Sequence, residues 1–97
     1  MRLIGRQLID AFKRTHPHAR RVMDRWCDFV GSTVWRTPHD VKRDFRHASI
    51  LSSNRVVFNV GGNRYRVVAE VNYRWRVVQI RFVGTHAAYD RIDALTC

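Results

Sequence analysis

The stretch that decides the fold is FNVGGNRYRVVAEV, residues 58–71. Two strand-like runs flank Gly61-Gly62, and Arg64 and Arg66 follow the glycines at alternate positions. Such a pair either cradles a phosphate with its backbone or only turns the chain. A P-loop needs a Lys-Ser/Thr pair and a following helix, and a dinucleotide fingerprint needs a third glycine within a βαβ unit. Neither is present here, so the glycines read as a hairpin, where positive φ is needed and glycine supplies it.

A two-residue loop at Gly61-Gly62 sets Val60 against Asn63, Asn59 against Arg64, Phe58 against Tyr65 and Val57 against Arg66. A second two-residue loop at Tyr73-Arg74 sets Val67 against Ile80, Ala69 against Val78 and Arg66 against Arg81. Apolar then meets apolar on one side, as a one-sided core requires. The expected consequence is Arg66 beside Arg81 on the other face, with Asn59, Arg64, Gln79 and Glu70 nearby. Like charges directly opposite cost a few tenths to ~1 kcal/mol. A bound phosphate relieves that cost, because guanidinium forks match its oxygens. Pairing with Glu70 and solvation by water relieve it too, and these residues alone leave both readings open.

Outward from this stretch, the period stays two. Val56, Phe58 and Val60 form one series, Tyr65, Val67, Ala69 and Val71 a second, and Arg76, Val78, Ile80 and Phe82 a third. Their β-branched and aromatic content predicts three strands. Upstream the pattern is helical. Leu8, Ile9, Ala11 and Phe12 suit a short helix from Arg6 that stops before THPH, since Pro17 disfavours helix in the residue before it. Val22, Met23, Trp26, Phe29 and Val30 recur at three- and four-residue spacing, predicting a second helix from Pro17 that Gly31-Ser32 closes. Thr37-Pro38 marks a third, Pro38 to Phe45. Leu3 and Ile4 suit a short edge strand, and residues 87–94 a helical turn. The predicted fold is a single domain over 1–97 of class α+β, its N-terminal helices packed on one face of a small antiparallel sheet.

Composition narrows the function. The chain has 18 basic and 8 acidic residues, a formal charge of +10 and a pI near 11.2. That surface suits a polyanion such as nucleic acid, or an acidic protein. Only Lys13 and Lys42 are lysines, so the excess is arginine. No apolar run is long enough to span a membrane, and MRLIGRQLID lacks a signal-peptide core. Cys27 and Cys97 have no framework or metal spacing; they read as a core residue and an exposed tail thiol in a reducing cytoplasm. His16, His18, His39 and His47 form no metal-ligand pattern, and no cofactor is expected. Among the tryptophans, Trp26 reads as core by its helical spacing, Trp35 as packing under the loop, and Trp75, at a hairpin end, as open for binding.

After the last strand comes VGTHAAYDRID, residues 83–93. Cleaving RNA through its own 2′-OH needs a proton acceptor, a proton donor and positive charge on the phosphate. Histidine titrates near neutrality and serves as acid or base. Arg66 and Arg81 would stabilise the transition-state charge, His86 would transfer protons, and Tyr89 would orient or relay them. Equally, His86 suits a helix boundary, and Tyr89 suits packing of the C-terminal turn on the sheet.

Three segments are recognisable together: NRVVFNVGGNRYRVVAEVNY (54–73), VQIRFVGTHAAYDRID (78–93) and Trp35–Leu51, with its W-x-TP-x-D-V-K-x-DF pattern. Over nearly the whole chain the sequence resembles the HigB family of bacterial type II toxin–antitoxin toxins, within the RelE-like messenger-RNA endonucleases. The resemblance implies a RelE-like fold and metal-independent cleavage of mRNA in the ribosomal A site. It also implies a HigA-like helix-turn-helix antitoxin as partner. It matches Arg66 and Arg81 to the family's strand arginines, and His86 and Tyr89 to its C-terminal site positions. Asn59, Arg64 and Lys42 are further candidates for RNA contact. Some relatives use lysines as acid or base, and this chain has almost none. The competing expectation is a non-catalytic module that binds RNA or the antitoxin on the same fold.

Overall fold

The computed structural model describes residues 1–97. Its order is β1 (Arg2–Ile4), α1 (Arg6–Thr15), a 3-10 turn (Pro17–Ala19), α2 (Arg20–Ser32), α3 (Pro38–Asp44), β2 (Ser49–Ile50), β3 (Arg55–Val60), β4 (Tyr65–Asn72), β5 (Val77–Thr85) and α4 (His86–Tyr89). The strands form one sheet in the order β1-β5-β4-β3-β2. From β2 to β5 it is the expected antiparallel meander, but β1 lies parallel to β5, with Leu3 opposite Val78. The sheet is therefore mixed. Parallel neighbours need a long crossover, and everything between β1 and β5 supplies it. Gly5 makes the first turn of that crossover at φ +90°, where a Cβ would stand 2.8 Å from the Ile80 carbonyl oxygen.

The helices form where the apolar spacing places them, with small shifts. On α2 the buried stripe is Met23, Trp26, Cys27 and Val30. Phe29, expected in that stripe, is 42% exposed at its margin. Thr37 takes the extended N-cap conformation before α3, yet its hydroxyl caps nothing. The Asp40 carboxylate instead accepts the Arg36 N–H at 2.8 Å.

The core centres on Phe58. Trp35 stacks on it at 5.8 Å, and Trp26 and Phe45 each meet it edge-on at 5.2 Å. Trp35 is fully buried, and its Nε1–H donates to Asp44 Oδ2 at 2.9 Å, so α3 is tied to the core by a charge-assisted bond. Cys27 is in the core as read.

The registers differ from the expected ones. Val60 pairs with Tyr65, Asn59 with Arg66 and Phe58 with Val67. The turn thus runs Gly61–Arg64 rather than Gly61-Gly62, and both glycines do adopt positive φ, +66° and +69°. The slip is two residues, so every side chain keeps its face. In the second hairpin the loop is Tyr73–Arg76, Ala69 pairs with Ile80, and Val68 pairs with Phe82. Arg81 is therefore the extra residue of a β-bulge, and Arg66 faces Gly84, not Arg81. A bulge also inverts the alternation beyond it. Phe82 leaves the core series for the second face, and Val83 packs on the main core instead.

That second face is not bare. Val57, Val68 and Ala94 form a small cluster there with Leu51, Phe82, Tyr89, Ile92 and Cys97. The C-terminal turn thus folds back over the sheet. Cys97 is half-buried rather than an exposed tail thiol, because the buried Arg55 holds this segment: its Nη1 donates to the Cys97 and Ala94 carbonyl oxygens at 2.9 and 3.4 Å.

Candidate functional site

At the end of the second face, β4 begins and β5 runs into α4. Arg66 stands there on β4, only 7% exposed. Its Nη1 donates to the Asn63 and Tyr65 carbonyl oxygens, each at 3.1 Å, and its Nη2 to Asn63 Oδ1 at 2.7 Å. The Tyr89 ring lies 6.0 Å from the guanidinium carbon, within cation–π range. No carboxylate pairs with Arg66; the chain's ion pairs all lie elsewhere. Nε–H and one Nη2–H therefore have no partner in the chain. Nε is not sealed from solvent, so the guanidinium presents an open donor and no counter-charge at this end of the sheet, where an anion fits it.

Two elements bring proton-transfer groups to the same place. Thr85 caps α4 by accepting the Ala88 N–H at 3.1 Å, which starts the helix at His86. The His86 N–H donates to the Arg64 carbonyl oxygen at 2.9 Å, stitching α4 to the β3–β4 turn. The imidazole is half-exposed, with Nδ1 3.6 Å from Asp90 Oδ2 one turn along. Arg66 and Tyr89 thus meet directly, and His86 begins the short helix that carries Tyr89. Arg64 is exposed, its guanidinium 5.6 Å from the centre of the Tyr65 ring. Asn59 lies directly across from Arg66 on β3.

The other expected residues lie apart. Arg81 turns to Glu70, Nη2 to Oε1 at 3.3 Å, with Val68 and Phe82 between it and Arg66 along the face. Lys42 caps the loop after α3 instead, its Nζ donating to the Arg46 and Ala48 carbonyl oxygens at 2.6 and 2.7 Å. Lys13, the other lysine, pairs with Asp24 at 2.7 Å, and this carboxylate chiefly raises its pKa. Asn63 and Arg55 carry structural duties that the sequence reading missed. An asparagine three residues before an arginine, at a turn, was the available signal for the first. Nothing local marked the second. No three His, Cys, Asp or Glu side chains come together in a way that would hold a metal ion, and no helix is long and apolar enough to cross a membrane.

Helices on one face of a meander sheet, with an unpaired arginine at the end of the other face, form an α+β arrangement consistent with a RelE-like fold. A family model described as HigB_toxin, RelE-like toxic component of a toxin-antitoxin system, matches residues 19–92, and the chain belongs to that family. It is a toxin of a toxin–antitoxin system, whose partner is an antitoxin. No curated protein sequence matches the chain.

Proposed function

We propose that this toxin is a ribosome-dependent mRNA endonuclease of the bacterial cytoplasm, neutralised by a HigA-like helix-turn-helix antitoxin. The observation that carries the reading is Arg66: a buried guanidinium with unspent donors, no carboxylate partner, a tyrosine ring beside it and a histidine at the head of the helix that brings that tyrosine. The scissile phosphate sits against Arg66. The 2′-oxygen attacks phosphorus, the P–O5′ bond breaks, and a 2′,3′-cyclic phosphate remains. His86, half in water, takes the 2′-OH proton or supplies one to the departing 5′-oxygen, and water carries the other of these two transfers. Tyr89 orients the phosphate by packing on Arg66. The guanidinium stabilises the extra negative charge of the transition state. All these tasks fall to side chains of the chain, without a metal. Arg64 and Asn59 hold flanking nucleotides. Arg81 joins the phosphate after exchanging Glu70 for it, a move its long exposed side chain permits.

One observation favours the non-catalytic alternative: both lysines and Arg81 are already engaged within the chain. The deciding experiment is induction in a bacterium with mRNA 5′ ends mapped on ribosomes. The native protein should cut translated mRNA, and His86→Ala should cut it poorly. If translation runs normally under the native protein, the enzyme reading fails. If His86→Ala cuts at the native rate, the proton-transfer role passes elsewhere.

A further inference from the structure

On the opposite side of the Gly61–Arg64 turn from Arg66 lies a groove that the cleavage chemistry does not use. Its first part, about 310 Å³, runs between α2 and the end of β3 and is floored by Val22, Trp26, Phe29, Phe45 and Val60. Its second part, about 300 Å³, passes beneath the α3–β2 connection, past Arg46, His47 and Gly62. Asp44, Phe45 and Asn59 line both parts, so they form one trough.

Three features define what fits there. The first is an open strand edge. The Val71 N–H donates to the Asn54 carbonyl oxygen, and the ladder alternation then turns Val56, Phe58 and Val60 toward β4. Arg55, Val57 and Asn59 turn their backbone groups the other way. The Arg55 carbonyl meets Leu51 and Val57 meets Ser49, but β2 ends before Asn59. The Asn59 N–H and C=O thus point into the trough without a strand partner. The second feature is apolar: Phe29 is 42% exposed at the wall of the groove. The third is charge. Arg25 and Arg46 are exposed on the rim and make no ion pair. The one carboxylate present, Asp44, is taken by Trp35 and Arg43.

We propose that this groove docks an extended acidic segment of a protein partner, in this family the antitoxin. The segment pairs its backbone with Asn59 as an added edge strand, sets an aromatic or branched side chain against Phe29 and Phe45, and meets Arg25 and Arg46 with carboxylates. A peptide backbone suits a bare strand edge, and a nucleobase does not. Because Gly61 and Gly62 line the groove and Asn63 holds Arg66, an occupant also restrains the turn that positions the guanidinium. Binding here is independent of whether the protein cuts RNA.

The test is selection of a phage-displayed random dodecapeptide library on the whole chain, followed by titration of the selected peptides into ¹⁵N-labelled protein. The expected peptides are rich in Asp and Glu with an aromatic or branched residue. They shift the amides of Asn59, Gly61 and Gly62, and protect the Asn59 N–H from exchange. An Arg25→Glu/Arg46→Glu double variant, whose changes lie on exposed side chains, weakens them roughly tenfold or more without lowering Tm. Peptides without acidic residues, peptides that map elsewhere, or unchanged affinity in the double variant overturn the proposal. So does a single-stranded RNA that displaces the peptides, since the groove would then belong to nucleic acid.

Discussion

The two faces of the β3–β5 sheet are both buried, yet they are closed by opposite means. On the first face, Val56, Phe58, Val67, Val71 and Val78 are fully buried beneath the helices and the Trp35 segment. On the second, Val57 and Val68 are equally dry, but their cover is a short C-terminal turn flanked by two buried arginines, Arg55 and Arg66. Burying a charge is tolerated only where it gains partners. Arg55 finds them in the carbonyls of the tail, although its Nε finds none. Arg66 finds them only in part. The first face therefore buries apolar groups almost alone, and the second buries charge held by hydrogen bonds.

The largest effect should come from the first face. Phe58→Ala removes the ring on which Trp26, Trp35 and Phe45 converge and should cost about 3–5 kcal/mol, enough to unfold much of the chain by urea titration or a thermal scan. A loss under 1 kcal/mol would mean that the faces do not differ as described. Arg66→Ala is the counterpart on the second face. It should lower mRNA cleavage by roughly 10²–10³-fold, the range seen for lost transition-state donors, while the melting transition stays cooperative. Arg81→Ala should lower cleavage less, because that side chain starts from Glu70 and not from the site. If Arg81→Ala proves the worse of the two, the phosphate lies nearer the bulge than proposed.

That pair of variants also shows what the sequence could reveal. The face of each β3 and β4 residue was legible, because strand alternation has a period of two and both slips across the Gly61–Arg64 turn and the Tyr73–Arg76 turn are even. Loop length was not legible. Gly61-Gly62 demands positive φ, but a four-residue turn with glycines first satisfies that demand as well as a two-residue one. The bulge was invisible for a physical reason: IRFV carries apolar residues on both sides of Arg81, so either parity buries one of them. Arg66 was therefore found correctly as a face, and its neighbour wrongly. Tyr89 does pack on the sheet, as one reading of it held, and that packing is what brings it to Arg66. Arg55 escaped notice because its partners are backbone carbonyls about 40 residues away, and carbonyls leave no trace in side-chain patterns.

Arg55→Met should separate the cover from the sheet. Methionine keeps the stem and removes the donors, so residues 90–97 should lose amide-exchange protection while the amides of β4 keep theirs. Global stability should change by only about 1–2 kcal/mol, since the lost hydrogen bonds are offset by an orphaned donor that is no longer buried. Tyr89, at the head of the same segment, should loosen, and cleavage should fall partially. Unchanged protection at Ala94 and Cys97 would show that the apolar cluster alone holds the tail.

The smallest effect returns to the first face and is read through pH. The Arg43 guanidinium, followed by the Trp35 indole N–H, holds the Asp44 carboxyl below its ordinary value of 3.8, against the opposing cost of burial. A carboxyl whose folded pKa is depressed contributes stability above its unfolded value and loses it as pH falls through the folded one. Asp44→Asn keeps an acceptor for Trp35 but removes the charge, so it should cost about 1 kcal/mol at neutral pH through the weaker Trp35 bond. Arg43 is too exposed to add much. Compared by thermal scans, the two proteins should differ at pH 7, begin to converge as pH approaches 3.8, and coincide well below it. A gap that persists in acid would assign the effect to side-chain shape at the α3 end. A gap that closes would assign it to the charge that ties α3 to the aromatic core.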